Sequence, residues 1–117
     1  MSAGKLTYLE IPASDGAKAA RFYAGVCGWQ IDKRSDDDYR FEDKAAGLIG
    51  RWRVDRAASA SGAGIVPYVT VASVADAVAR VAELGGDIVD APAPDGDLVI
   101  ARVRDPAGNV IGLWQFA

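Results

Sequence analysis

The sequence predicts an α+β fold built from two tandem βαβββ units, on three observations. Residues 6–29, LTYLEIPASDGAKAARFYAGVCGW, read as strand, polar break, alanine-rich helix and glycine stop. Residues 66–86, VPYVTVASVADAVARVAELGG, repeat that order, with Tyr68 where Tyr8 stands and Gly86 where Gly28 stands. Between them DRAASASGAG, residues 55–64, has the composition of a flexible linker. A repeat this long, present twice only, points to a pseudo-twofold pair of sheets and not to a solenoid. The expected organisation is one domain over residues 1–117, with unit one at about 5–54 and unit two at about 65–117.

Each element has a local reason. KLTYLEIP carries the β-branched, aromatic and leucine residues of a strand. Ser14 or Asp15 is placed to cap the helix that follows. Ala19, Phe22, Tyr23 and Val26 make its apolar stripe, and Gly28 ends it. WQIDKR, DYRFEDK and AAGLIGRWRV are three further strands. In the second unit GIVPYVTVA is a strand. Ser73 caps a helix striped by Val74, Ala77, Val78, Val81 and Leu84, and Gly85–Gly86 stops it. DIVDAP is the next strand. The closing hairpin turns at DPAGN, where Pro106 fixes φ and Gly108 permits a positive one.

Composition excludes several classes of function. The 117 residues are 50% apolar and 25% charged, with a net charge of −3. Thirteen scattered Lys and Arg against sixteen acids give no basic surface for nucleic acid. No apolar run reaches the roughly 20 residues of a membrane span, and the N-terminus enters a strand without a signal-peptide core. A single cysteine forms no internal disulfide, so a cytoplasmic setting is expected. Cys27 reads as a small buried hydrophobe. With no histidine there is no Ser-His-Asp or Cys-His pair. Any metal site would be oxygen-rich, which suits Mg or Ca. The acidic run SDDDYR reads as a solvated loop, since adjacent side chains diverge.

The order of elements, with AxxFYxxxxGW at residues 19–29 and DPxGNxxxL at residues 105–113, resembles the vicinal oxygen chelate superfamily. That group includes glyoxalase I, extradiol dioxygenases, fosfomycin-modifying enzymes and bleomycin-resistance proteins. The resemblance runs from Leu6 to Gln115, leaving only the linker unmatched. It implies that the two units form a cup-shaped, partly open mixed sheet. In the enzymes a metal sits in the cup, held by His in the first strand of a unit and Glu in its last. Those places fall on Tyr8, Gly47, Tyr68 and Gly112 here. Two phenols and two glycines make a poor donor set, so no metal and no other cofactor is expected.

Strand alternation from those four places predicts the lining of the cup. Tyr8 brings Leu6 and Glu10, Gly47 brings Ile49 and Arg51, and Tyr68 brings Val66 and Thr70. Gly112 brings Val110 and Trp114, and the resemblance implies Arg102 in the seventh strand, at the place that faces substrate in the fosfomycin-modifying branch, with Ile100 on the same side. The expected ligand-binding set is Tyr8, Glu10, Ile49, Arg51, Tyr68, Arg102 and Trp114. Trp114 reads equally as ligand platform or as core or interface. Trp29 and Phe22 read as core, and Trp52 as helix-facing or dimer-facing. The resemblance implies a homodimer that binds a small planar or aromatic molecule, with Arg102 or Arg51 orienting an anionic one. The alternative is a metal-independent isomerase, lyase or hydrolase with Glu10 as base and a tyrosine such as Tyr8 as acid. That role needs desolvation to raise the Glu10 pKa, whereas an ion pair with Arg51 or Arg102 would do the reverse. A third option is an interaction module whose cup is filled by its own side chains.

Overall fold

The computed structural model describes residue 3 and residues 5–58 and 64–117. Half of the expected linker, residues 59–63, lies outside the described residues. The chain runs β1 (Tyr8–Pro12), α1 (Gly16–Cys27), β2 (Gln30–Ser35), β3 (Asp38–Asp43) and β4 (Leu48–Arg53). It then repeats as β5 (Tyr68–Thr70), α2 (Val74–Glu83), β6 (Asp87–Asp95), β7 (Leu98–Arg104) and β8 (Val110–Phe116). Two four-stranded mixed sheets result, in the matching orders β1-β4-β3-β2 and β5-β8-β7-β6. In each, the first strand of the unit lies parallel to its last, and the other pairings are antiparallel. The two tandem βαβββ units are therefore present.

The helices begin and end where side-chain chemistry allows. Asp15 accepts from the Lys18 N–H at 3.0 Å, and Ser73 accepts from the Asp76 N–H at 3.1 Å. Each satisfies one orphan donor at a helix start. Gly28 closes α1 in the left-handed conformation. The stripe residues Ala19, Phe22, Tyr23 and Val26 of α1, and Val74, Ala77 and Val81 of α2, are all buried. α1 and α2 touch each other as well as their own sheets, so one apolar cluster draws on both units.

In the first unit that cluster is aromatic. Tyr23 stacks on Trp29 (5.0 Å between ring centroids), and Trp29 stacks on Phe41 (4.5 Å). Trp52 tilts against both Tyr23 and Phe41. Such contacts contribute about 0.5–1.5 kcal/mol each beyond the area they bury. The second unit contributes aliphatic residues instead, with Val81, Val103 and Leu113 fully buried. Trp52 and Phe22 are likewise fully buried, so Trp52 faces the helices.

A polar node ties the units together inside this core. Asp105, only 2% exposed, accepts from the Tyr23 hydroxyl at 2.8 Å. It also accepts from the N–H groups of Ala107 and Asn109, and from Asn109 Nδ2 at 2.8 Å. The same Asn109 amide donates to the Pro12 carbonyl at 2.7 Å. The β7–β8 turn of unit two is thus bonded to both the helix and the first strand of unit one. A buried carboxylate is costly unless fully satisfied, and four donors on its two oxygens satisfy this one. Burial, then the Asp105 charge, holds the Tyr23 phenol well above its usual pKa.

Tyr23→Phe removes one bond to a buried charge, and its expected cost is about 1.5–3 kcal/mol in urea unfolding at pH 7. The folded phenol pKa is raised, so this contribution is complete below about pH 10 and fades as pH rises through the folded value. Equal stability of the two proteins at pH 7 would mean that the node contributes nothing.

Candidate functional site

Two cavities matter here, one between the two units and one on the second sheet alone. The larger, about 1000 Å³, is bounded by β1, the C-terminal end of α1, the β3–β4 turn and the starts of β5 and β8. Leu6, Leu9, Trp29, Ile65, Tyr68 and Val110 supply its apolar wall. Glu10, Asp43 and Asn109 are among its few polar groups. The smaller, about 250 Å³, lies on the open face of the second sheet, between Tyr68, Asp95, Leu98, Ile100 and Trp114. Tyr68 borders both.

The sequence-predicted site residues do not converge on one cup. Glu10 and Tyr68 line the large cleft, and Tyr68 and Trp114 line the small one. Tyr8, Ile49, Arg51 and Arg102 line neither. Tyr8 and Ile49 are direct neighbours on the exposed face of the first sheet, about half exposed each. Trp114 is half-buried with its indole edge-on to Phe116, 5.1 Å between centroids.

The first sheet's open face is laced with ion pairs. Asp32, Arg40, Arg51 and Glu10 form one cross-strand row. Arg40 forks onto Asp38 at 3.0 and 3.2 Å. Arg51 reaches the same Asp38 only at 3.8 Å, and its buried Nε meets no acceptor among the described residues. Glu10 pairs with neither Arg51 nor Arg102. Its partners are Arg53, at 3.0 Å, and Arg56, at 3.1 Å. The Arg53 bond, followed by that of Arg56, outweighs desolvation and holds the Glu10 carboxyl below its usual range. The raised pKa that a general base at Glu10 requires is therefore reversed. Arg102 is bound to Asp90 across the β6–β7 pair, so its charge is already compensated.

Gly47 was expected in the last strand of unit one. It lies instead in the turn before β4, with φ +69°. Strand register shows which residue takes its place: Tyr68 sits opposite Gly112, and Tyr8 sits opposite Ile49. Carried over by the resemblance on that register, the metal-holding places would fall on Tyr8, Ile49, Tyr68 and Gly112. One hydrocarbon, one glycine and two phenols do not fit a divalent metal ion. Among the described residues no three His, Cys, Asp or Glu side chains gather as a donor group. The Tyr68 ring fills the space itself. A Cβ built on Gly112 would fall 2.3 Å from that ring, so only glycine lets the tyrosine lie across the strand.

Parity reasoning missed Leu9, Ile11, Trp29 and Asn109 as cleft residues. Alternation assigned Leu9 and Ile11 to the helix-facing side. The large cleft reaches that side because the two units part at the seam. Asn109 carried a signal, since it closes the DPAGN turn.

Residues 8–114 match the glyoxalase-like domain. Among solved structures, a glyoxalase/bleomycin resistance protein/dioxygenase family enzyme from Burkholderia phytofirmans PsJN superposes with a TM-score of 0.77 at 19% identity, covering 97% of this chain and 100% of that one. TnmS3, an antibiotic binding protein from Streptomyces sp. CB03234, gives 0.69 at 23%, covering 100% and 99%. TioX from Micromonospora sp. ML1 gives 0.66 at 21%, covering 97% and 100%. No curated protein matches the chain.

Two outcomes follow from the site's electrostatics. Burial first, and the Asp43 charge second, push the Cys27 thiol up to about 12. At pH 8 a thiol-disulfide reagent should modify the folded protein at least about 100-fold more slowly than the urea-unfolded chain, for lack of thiolate. Equal rates would contradict that burial. The Glu10 pair has the opposite pH sense, because its folded pKa is lowered. The stability difference between wild type and Glu10→Gln should be full above the ordinary glutamate pKa and vanish as pH falls through the lowered one. A difference that persists in acid would overturn the ion-pair assignment.

Proposed function

The chain belongs to the glyoxalase-like domain family, and from that premise we propose that it binds a small, planar, largely apolar molecule without a metal. The observation that carries this reading is the large cleft. Its volume of about 1000 Å³ is at the top of the roughly 300–1,000 Å³ range of ligand sites, and its wall is mostly apolar with a few polar groups. Trp29 and Tyr68 give it aromatic surface, and Asn109 is held in place by the Asp105 node. The likeness to an antibiotic binding protein is in keeping with a carrier of this kind.

The ion-paired state of Glu10 favours binding over acid–base chemistry. The donor set at Tyr8, Ile49, Tyr68 and Gly112 favours a protein that works without a metal. The protein acts as a homodimer in this reading. Tyr8 and Ile49, side by side on the open face of the first sheet and outside both cavities, leave 47% and 50% of their surface exposed. A second copy is the natural cover for such faces. A lone cysteine held as an unreactive thiol suits the reducing cytoplasm.

Two measurements test this. Ala46 is an exposed turn residue on the cleft wall, so Ala46→Trp fills the cleft with little cost to folding. It should weaken binding of a planar aromatic probe, such as 2-naphthol followed by calorimetry, by about 10-fold or more. Unchanged affinity would remove the cleft from the account. Elemental analysis of protein purified without a histidine tag should find substoichiometric Fe, Ni, Zn and Mn, and one tight equivalent of any of them would refute the metal-free reading.

A further inference from the structure

We propose that the small pocket on the second sheet is a subsite for a cationic group, a protonated amine or quaternary ammonium, carried by the molecule the large cleft binds. The inference rests on that reading of the cleft and adds a chemical class to it.

At about 250 Å³ the pocket is too small for a whole ligand and suits an appendage. Its walls are two aromatic rings, Tyr68 and Trp114, and two aliphatic side chains, Leu98 and Ile100. Its one charged group is Asp95. Aromatic faces with a carboxylate at the edge favour a weakly hydrated cation and repel an anion.

The charges around the pocket agree. The Asp95 carboxylate is exposed and makes no side-chain hydrogen bond or ion pair among the described residues, its backbone alone being engaged in the pairing with Leu98. Arg102, on the same face of β7 as Leu98 and Ile100, is occupied by Asp90 and cannot serve as the missing counter-ion. From Asp87 to Arg104, Asp87, Asp90, Asp95 and Asp97 face Arg102 and Arg104 alone, which leaves the hairpin at −2. The expectation that Arg102 orients an anionic ligand is therefore replaced by the opposite sign.

The pocket is also built in advance of any ligand. Asp95 pairs with Leu98 across a two-residue turn whose first residue, Gly96, has φ +56°, the conformation a type II′ hairpin needs there. That turn fixes the carboxylate at the end of the sheet, on the side where Leu98 points. Tyr68 is seated over Gly112, and Trp114 is braced by Phe116. Tyr68 borders both cavities, which puts the small pocket one side chain away from the large cleft, within reach of a cationic arm on a ligand bound there.

The test is a titration of the full chain with benzyltrimethylammonium, read by the Trp114 indole N–H in ¹⁵N-resolved NMR, beside the anion phenylacetate and the neutral 2-naphthol. The ammonium should shift the Trp114 signal to saturation, with a Kd raised about 5-fold or more by Asp95→Asn, an exposed turn position that should not disturb folding. Phenylacetate should bind at least about 10-fold more weakly there. An unchanged Kd in Asp95→Asn, or phenylacetate binding as well as the ammonium, overturns the subsite. If 2-naphthol still perturbs the Trp29 signal in that case, the cleft reading stands and this one alone has failed. If the ammonium saturates Trp114 while 2-naphthol leaves Trp29 unmoved, the subsite stands and the cleft reading has failed.

Discussion

The buried carboxylate of Asp105 is the constraint from which the rest of the molecule follows. Taken from water without partners, it would cost several kcal/mol. It is kept by bonds that come from its own turn and from the neighbouring unit: the Tyr23 hydroxyl, two backbone N–H groups and the Asn109 amide. Because Asn109 also donates to the Pro12 carbonyl, the second unit's closing hairpin is pinned to the end of β1 as well as to α1. Apolar contact between α1 and α2 could tolerate a small slide of one unit on the other. Directional bonds to a buried charge cannot.

With the seam fixed in this way, the starts of β1, β5 and β8 and the end of α1 are held apart around a cleft and do not collapse onto it. Tyr68 completes the arrangement. Its ring lies over Gly112 and turns the space above the strand into an aromatic wall. The two sheets then differ in character although they share a topology. The first presents rows of paired charges around Arg40, Arg51, Arg53 and Glu10. The second presents Trp114, Phe116, Ile100 and Leu98 with Asp95 at its rim. The two units thus share a backbone plan while their open faces differ.

Much of this was legible in the chain. The repeat, the caps at Asp15 and Ser73, the glycine stop of α1 and the stripe on each helix all depend on interactions a few residues apart, which sequence spacing reports directly. The parity of Trp52 was legible too, since a strand alternates strictly. What spacing could not give was anything that depends on register across the sheet. Gly47 and Ile49 both suit the inward parity, and only the pairing of Tyr8 with Ile49 decides between them. Long side chains were harder still. Glu10 and Arg53 share a face with Arg51, but which arginine the carboxylate takes depends on reach and competition, and Arg51 lies nearer Asp38. The cleft itself is a product of how the two units meet, and no single strand carries a signal for it.

The claim at the centre of this account is that ligand binds at the seam the Asp105 node holds open. Intermolecular nuclear Overhauser effects between isotope-labelled protein and a bound planar aromatic ligand measure that position directly. The ligand ring should contact Leu9, Trp29 and Val110, with Tyr68 at its edge. Contacts confined to Tyr8, Ile49 and Arg51 on the open face of the first sheet would contradict it.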